Sequence, residues 1–145
     1  MTLQHLLGVS LDAIQPDRNQ AARLLAAAAR NLAEAQLDGL SNECRFDVAY
    51  KAIMQLAMLA LHANGFRTLT SKPGHHQTAI QTLALTIGLA SDRVIVQDAL
   101  RKQRNLPDYS GDIVPASAMS ECLACAAALM ADVRAWLAAN KPELP

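Results

Sequence analysis

The sequence predicts an all-α fold, an antiparallel up-and-down helical bundle of four to six helices. Three observations carry that expectation. The 145 residues include 28 Ala and 22 Leu, against 18 Val, Ile and Thr together. This balance favours helix over an all-β sandwich or barrel. Apolar residues recur at intervals of three and four over long stretches. The connections between those stretches are short, which sets neighbouring helices antiparallel. A chain of 15.5 kDa suits one domain with a substantial core.

Residues 1–15 read as a weakly patterned lead-in, with Leu3, Leu6, Leu7 and Leu11 spaced for a short helix lying on the main body. The bundle is expected over 16–140 and a tail over 141–145. Pro16-Asp17 is a helix start, with the acid at the positive end of the helix dipole. Ala21, Leu25, Ala28, Leu32 and Ala35 then mark the buried face, and Asp38-Gly39 is expected to close this helix.

Ser41 opens a second helix whose seam is Phe46, Ala49, Ile53, Leu56, Ala60 and Ala63, widened by Tyr50, Met54 and Leu61. Such an apolar helix belongs at the centre of a bundle. Asn64-Gly65 closes it, and residues 66–76 read as a loop with Lys72-Pro73-Gly74 as turn chemistry. A third helix carries Ile80, Leu83, Ala84 and Ile87 and breaks at Gly88. Ser91-Asp92 starts a fourth, which Pro107 and then Ser110-Gly111 are expected to end. Pro115 and Ser117 open the last helix. Met119, Cys122, Ala126, Leu129, Val133, Trp136 and Leu137 form the cleanest heptad in the chain.

No apolar run reaches the roughly 18–20 residues of a membrane span. The start MTLQHLLGVS has no basic n-region, so no signal peptide is expected. Cys44, Cys122 and Cys125 are too few, and odd in number, for a disulfide framework, which points to a cytoplasmic protein. Cys122 and Cys125 have Cys-x-x-Cys spacing inside a heptad, and read as small packing residues rather than a redox pair. The sequence has no Gly-rich phosphate loop, no metal-ligand spacing and no paired Glu-x-x-His motif, so no cofactor or metal is expected.

The formal net charge is zero, which excludes a cationic field over the whole molecule. The charge is nonetheless uneven: net −2 over residues 1–47, +5 over 48–104 and −3 over 105–145. The middle segment also holds three of the four histidines. Within it, Arg101 and Arg104 share a helix face. Asn105 adds an amide and Tyr109 a phenol beyond Pro107. Guanidinium, amide and hydroxyl donors at one helix end suit an anionic oxygen, above all a phosphate. The same cations also suit a helix C-terminus that needs positive charge against its own dipole. Both readings stand at this level.

Three stretches together resemble the HEPN superfamily (higher eukaryotes and prokaryotes nucleotide-binding), which are small all-α bundles. The second helix reads Arg45-Phe46, Ala49-Tyr50-Lys51-Ala52-Ile53, Ala57, Leu61 and Asn64-Gly65. The connection Lys72-Pro73-Gly74-His75-His76 precedes an apolar helix. Arg104-Asn105-Leu106-Pro107-Asp108-Tyr109 stands where the family carries an Arg-polar-x-x-x-His signature.

The resemblance implies a homodimer whose two-fold axis brings paired signature residues into a metal-independent ribonuclease site. Arg104 matches the arginine that binds the scissile phosphate, and Asn105 the polar residue after it. Tyr109 replaces the histidine. Histidine titrates near about 6.5 and tyrosine near about 10, so Tyr109 is a poor base at neutral pH. Pro107 also bends the backbone inside the motif. The implied function is therefore recognition of nucleotide or RNA phosphate with impaired turnover. One alternative is a metal-independent ribonuclease toxin paired with a nucleotidyltransferase-like antitoxin. Another is a helical protein–protein interaction module. His75 and His76 are candidate surrogates for the missing imidazole, should their loop face Arg104.

Overall fold

The computed structural model describes residues 2–71, 73–110 and 114–144, with the side chains of 105–110 excepted. The fold is an all-α bundle. Its helices are α1 (Arg18–Glu34), α2 (Asn42–Ala63), α3 (His75–Gln81), α4 (Leu83–Thr86), α5 (Ser91–Ser110) and α6 (Ala116–Asn140), with a two-stranded sheet, β1 (Leu11–Ala13) and β2 (Phe66–Thr68).

The helix starts follow local chemistry. Asp17 caps α1 by accepting from the Asn19 N–H, and Ser41 caps α2 by accepting from the Cys44 N–H. Asn64 ends α2, and Gly65 follows at φ +89°, a left-handed position that suits only glycine without strain.

Three cross-contacts set the directions of α1 and α2. The Asp17 N–H donates to His62 Nε2 at 2.8 Å, Asn31 Nδ2 donates to Gln55 Oε1 at 2.7 Å, and Arg45 Nε donates to the Ala35 carbonyl at 2.7 Å. The two helices are therefore antiparallel. Arg93 in the first turn of α5 meets Asp132 late in α6, and Arg104 late in α5 meets Asp47 early in α2. α5 thus runs opposite to both. Cys122, early in α6, donates through Sγ to the Phe46 carbonyl early in α2 at 3.6 Å, so α2 and α6 share a direction. The four long helices alternate up and down in chain order.

The core lies where α2 is enclosed. Phe46, Ala49, Ile53, Leu56, Ala60 and Ala63 are all buried, as are Met119, Cys122, Ala126, Leu129, Val133 and Leu137 of α6. Ala21, Ala28 and Ala35, seven apart, are the fully buried positions that α1 and its cap contribute. Alanine at these contacts permits helix axes to approach to about 8 Å. By length and composition α6 is apolar enough to cross a membrane, but its apolar stripe is packed against α2.

Several element boundaries differ from the sequence reading. The lead-in holds a short 3-10 helix at Gln4–Leu6 that lies on the core through Leu3 and Leu6, and it then runs into β1, where Leu11 is buried. Part of the expected loop 66–76 is β2, paired with β1 in the register Leu11↔Thr68, Asp12↔Arg67, Ala13↔Phe66. Leu11, Phe66 and Thr68 face the core, while Arg67 and Asp12 pair on the exposed side at 3.0 Å. α1 stops at Glu34, before Asp38-Gly39, because Arg45 has already satisfied the Ala35 carbonyl.

The expected third helix is divided at Thr82, whose Oγ1 donates to the Ala79 carbonyl at 3.0 Å. Pro107 does not end α5, which continues to Ser110. A proline this close to a helix end forfeits one backbone hydrogen bond and leaves the following turn able to form. Gly111 lies outside the described residues.

Candidate functional site

α2, α3 and α5 converge on a cleft of about 500 Å³. One face of α2 forms most of its wall. Asp47, Lys51 and Gln55 lie four apart and so stack on that face, and Tyr50 and Met54 are buried behind them. α3 contributes His76 and α5 contributes Arg104.

Arg104 is held from two directions. Its Cζ lies 5.3 Å from the centroid of the Tyr50 ring, and its Nε stands 4.0 Å from Asp47 Oδ1. A guanidinium over an aromatic face is stabilised by about 0.5–2 kcal/mol. The Asp47 pair is long and its side chains are 36% and 50% exposed, so it adds little.

Tyr50 is 2% exposed, and its hydroxyl has no hydrogen-bond partner among the described residues. Burial pushes its pKa up to about 12, against the pull of Arg104 and Arg101 in the other direction. The phenol therefore stays protonated at any working pH. Its role is to position Arg104, not to move a proton.

His76 sits in the first turn of α3, not in a loop. Gly74 precedes it in the left-handed conformation at φ +81°, which turns the chain into the helix. The His76 ring is 6.1 Å from the Tyr50 ring and meets His75 edge-on at 4.6 Å. Burial, then the charges of His75, Arg104 and Arg101, hold its pKa below the usual histidine value. At neutral pH the ring is uncharged and offers a nitrogen lone pair.

Of the residues singled out by sequence, Arg104 and His76 come together in this cleft, with His75 against His76. Arg101 is engaged elsewhere: its Nε donates to Asp98 Oδ1 at 2.9 Å, with both side chains largely buried. Lys102 Nζ reaches the other oxygen of Asp98 at 3.7 Å. Arg101 therefore lends charge to the cleft but does not line it. The side chains of Asn105 and Tyr109 lie outside the described residues.

Tyr50, Asp47, Lys51 and Gln55 were not singled out as site residues by sequence. A signal was present: polar Asp47, Lys51 and Gln55 recur every four residues on a helix otherwise built for burial. His62 is 8% exposed and accepts the Asp17 N–H, which makes it part of the junction between α1 and α2.

Among the described residues, the cleft is lined by two cations, Arg104 and Lys51, and one carboxylate, Asp47. Such a wall can offer cationic donors to an anion, with an uncharged imidazole beside them. Among the described residues no group of three or more His, Cys, Asp or Glu lies together to hold a metal ion.

Fold and site together define a small helical-bundle protein with an arginine-centred polar cleft. No family model, curated protein or solved structure matches the chain.

Proposed function

We propose that this protein recognises nucleotide or RNA phosphate as a HEPN-like homodimer, with Arg104 as the principal anion ligand. The observation that carries the reading is the posture of Arg104: stacked on a buried ring, loosely paired with Asp47, and facing a cleft of about 500 Å³. A preorganised guanidinium offers two parallel N–H donors to phosphate oxygens. Lys51 adds a mobile charge at the rim. A second copy set against the exposed edge of α2 closes the open side of the cleft.

The test is binding of a short RNA, and of inorganic phosphate, to the wild type and to Arg104→Ala, with size-exclusion light scattering for the dimer. RNA binding that falls at least tenfold in Arg104→Ala supports the reading. Equal affinity of the two proteins overturns it.

One observation favours a second reading, a metal-independent ribonuclease with a nucleotidyltransferase-like antitoxin as partner. His76 brings an uncharged imidazole to the Arg104 cleft, in place of the histidine that Tyr109 does not supply. Growth arrest and RNA cleavage on expression of the wild type, lost in both Arg104→Ala and His76→Gln, support this reading. Harmless expression with intact RNA removes it while leaving phosphate binding to be judged on its own assay.

A further inference from the structure

A second cleft, of about 310 Å³, lies between α5 and α6. It shares no residue with the Arg104 cleft. Its polar content is unusual for its position. Gln97 is 1% exposed, and its Oε1 has no hydrogen-bond partner among the described residues. Arg93 pairs with Asp132 through one guanidinium nitrogen, while Nη2 is buried and likewise without a partner there. Both residues line the same cleft. A buried amide oxygen and a buried guanidinium N–H, each left unsatisfied, are costly in an interior that normally pairs such groups.

We infer that the α5–α6 cleft binds a small, neutral, planar carboxamide or lactam. Arg93 and Gln97 are four residues apart, on one face of α5 and about one helical turn from each other. Arg93 needs an acceptor and Gln97 Oε1 needs a donor. A carboxamide or lactam edge carries both within one rigid group. Gln97 lines the cleft, and its Oε1 lacks a donor among the described residues.

The remaining walls narrow the class. Val96, Ala124 and Ala128 are apolar and mostly small, which suits a flat ring sliding between the helices. Asp92 and Glu121 stand at the cleft, and Asp132 already occupies Arg93. This excess of carboxylates disfavours an anionic ligand. The volume is at the low end for ligand sites, which suits a ligand of one or two rings.

The test is an NMR titration of the full chain with nicotinamide (a carboxamide), uracil (a lactam) and nicotinate, which has the shape of nicotinamide but carries a carboxylate. The inference expects saturable shifts at the Val96, Ala124 and Ala128 amides with nicotinamide or uracil, and affinity for nicotinate about tenfold weaker, the equivalent of one lost hydrogen bond. Gln97→Met removes a buried amide oxygen that has no partner among the described residues and keeps the length of the side chain, so nicotinamide or uracil binding should weaken about tenfold while the variant still unfolds cooperatively. If neither neutral probe saturates, the gap holds only solvent and the inference is wrong. Nicotinate binding as well as nicotinamide, or Gln97→Met binding as the wild type does, overturns it equally.

Discussion

Arg104 lies over Tyr50, its Cζ 5.3 Å from the ring centroid, and this contact joins α5 to α2 beside the Asp47 pair. The ring is buried and its hydroxyl has no partner among the described residues, so what Tyr50 supplies here is its aromatic face.

Tyr50→Phe keeps that face and deletes the unpaired hydroxyl. Its stability in urea unfolding should equal the wild type or exceed it by up to about 1 kcal/mol, with phosphate binding unchanged. Tyr50→Ala removes the ring and leaves a cavity at the centre of α2. It should lose about 3–5 kcal/mol, in line with other large-to-small aromatic replacements.

Arg104→Lys separates charge from shape. Lysine keeps the positive charge but loses the planar fork and much of the stacking on Tyr50. RNA affinity by fluorescence anisotropy should fall about tenfold, the equivalent of one lost charge-assisted hydrogen bond. Stability should fall by about 0.5–2 kcal/mol, the worth of the stacking on Tyr50, with little added by the long, exposed Asp47 pair.

His76 makes stability depend on pH in a defined direction. Its pKa in the folded protein is lowered by burial and then by His75, Arg104 and Arg101. The unfolded chain therefore binds this proton more readily than the folded one. The His76 contribution is fully present above about pH 6.5 and is lost as pH falls through the lower folded pKa. Melting temperatures measured from pH 8 down to pH 5 should show this decline, and His76→Gln should flatten it. A phosphate bound near Arg104 should reverse part of the shift, so binding at about pH 6 should take up a proton.

The three cysteines should react in order of access. Cys44 is exposed, Cys125 is half-buried, and Cys122 is buried with its thiol pushed up to about 12, chiefly by burial and then by Cys125, Asp47 and Glu121. Timed alkylation at pH 8 followed by mass spectrometry should label Cys44 first. Cys122 should label only when the protein unfolds, since the thiolate is the reactive form.

The seams of α2 and α6 were legible because each is long and strongly periodic. Phe46, Ala49, Ile53, Leu56 and Ala60 repeat often enough that no other secondary structure buries them all together. The caps at Asp17 and Ser41 were legible for the same local reason: a side-chain oxygen within three residues of the N–H groups it serves. Other features had no such local mark. β1 and β2 are three residues each and pair across more than fifty residues of sequence, so neither carries a pattern of its own. Pro107 announces a break that the surrounding helix overrides. Gln97 reads as an ordinary polar residue, and only the packing of α5 on α6 leaves it buried with its Oε1 lacking a partner among the described residues.

By itself the sequence determined the helices, their buried faces and the concentration of positive charge in the middle of the chain, because these depend on residues close together along the backbone. Only the tertiary structure decided that Arg104 lies on Tyr50 with His76 alongside, while Arg101 turns to Asp98. Those pairings depend on how three helices cross, and a crossing is set by packing over the whole core rather than by any one stretch of chain.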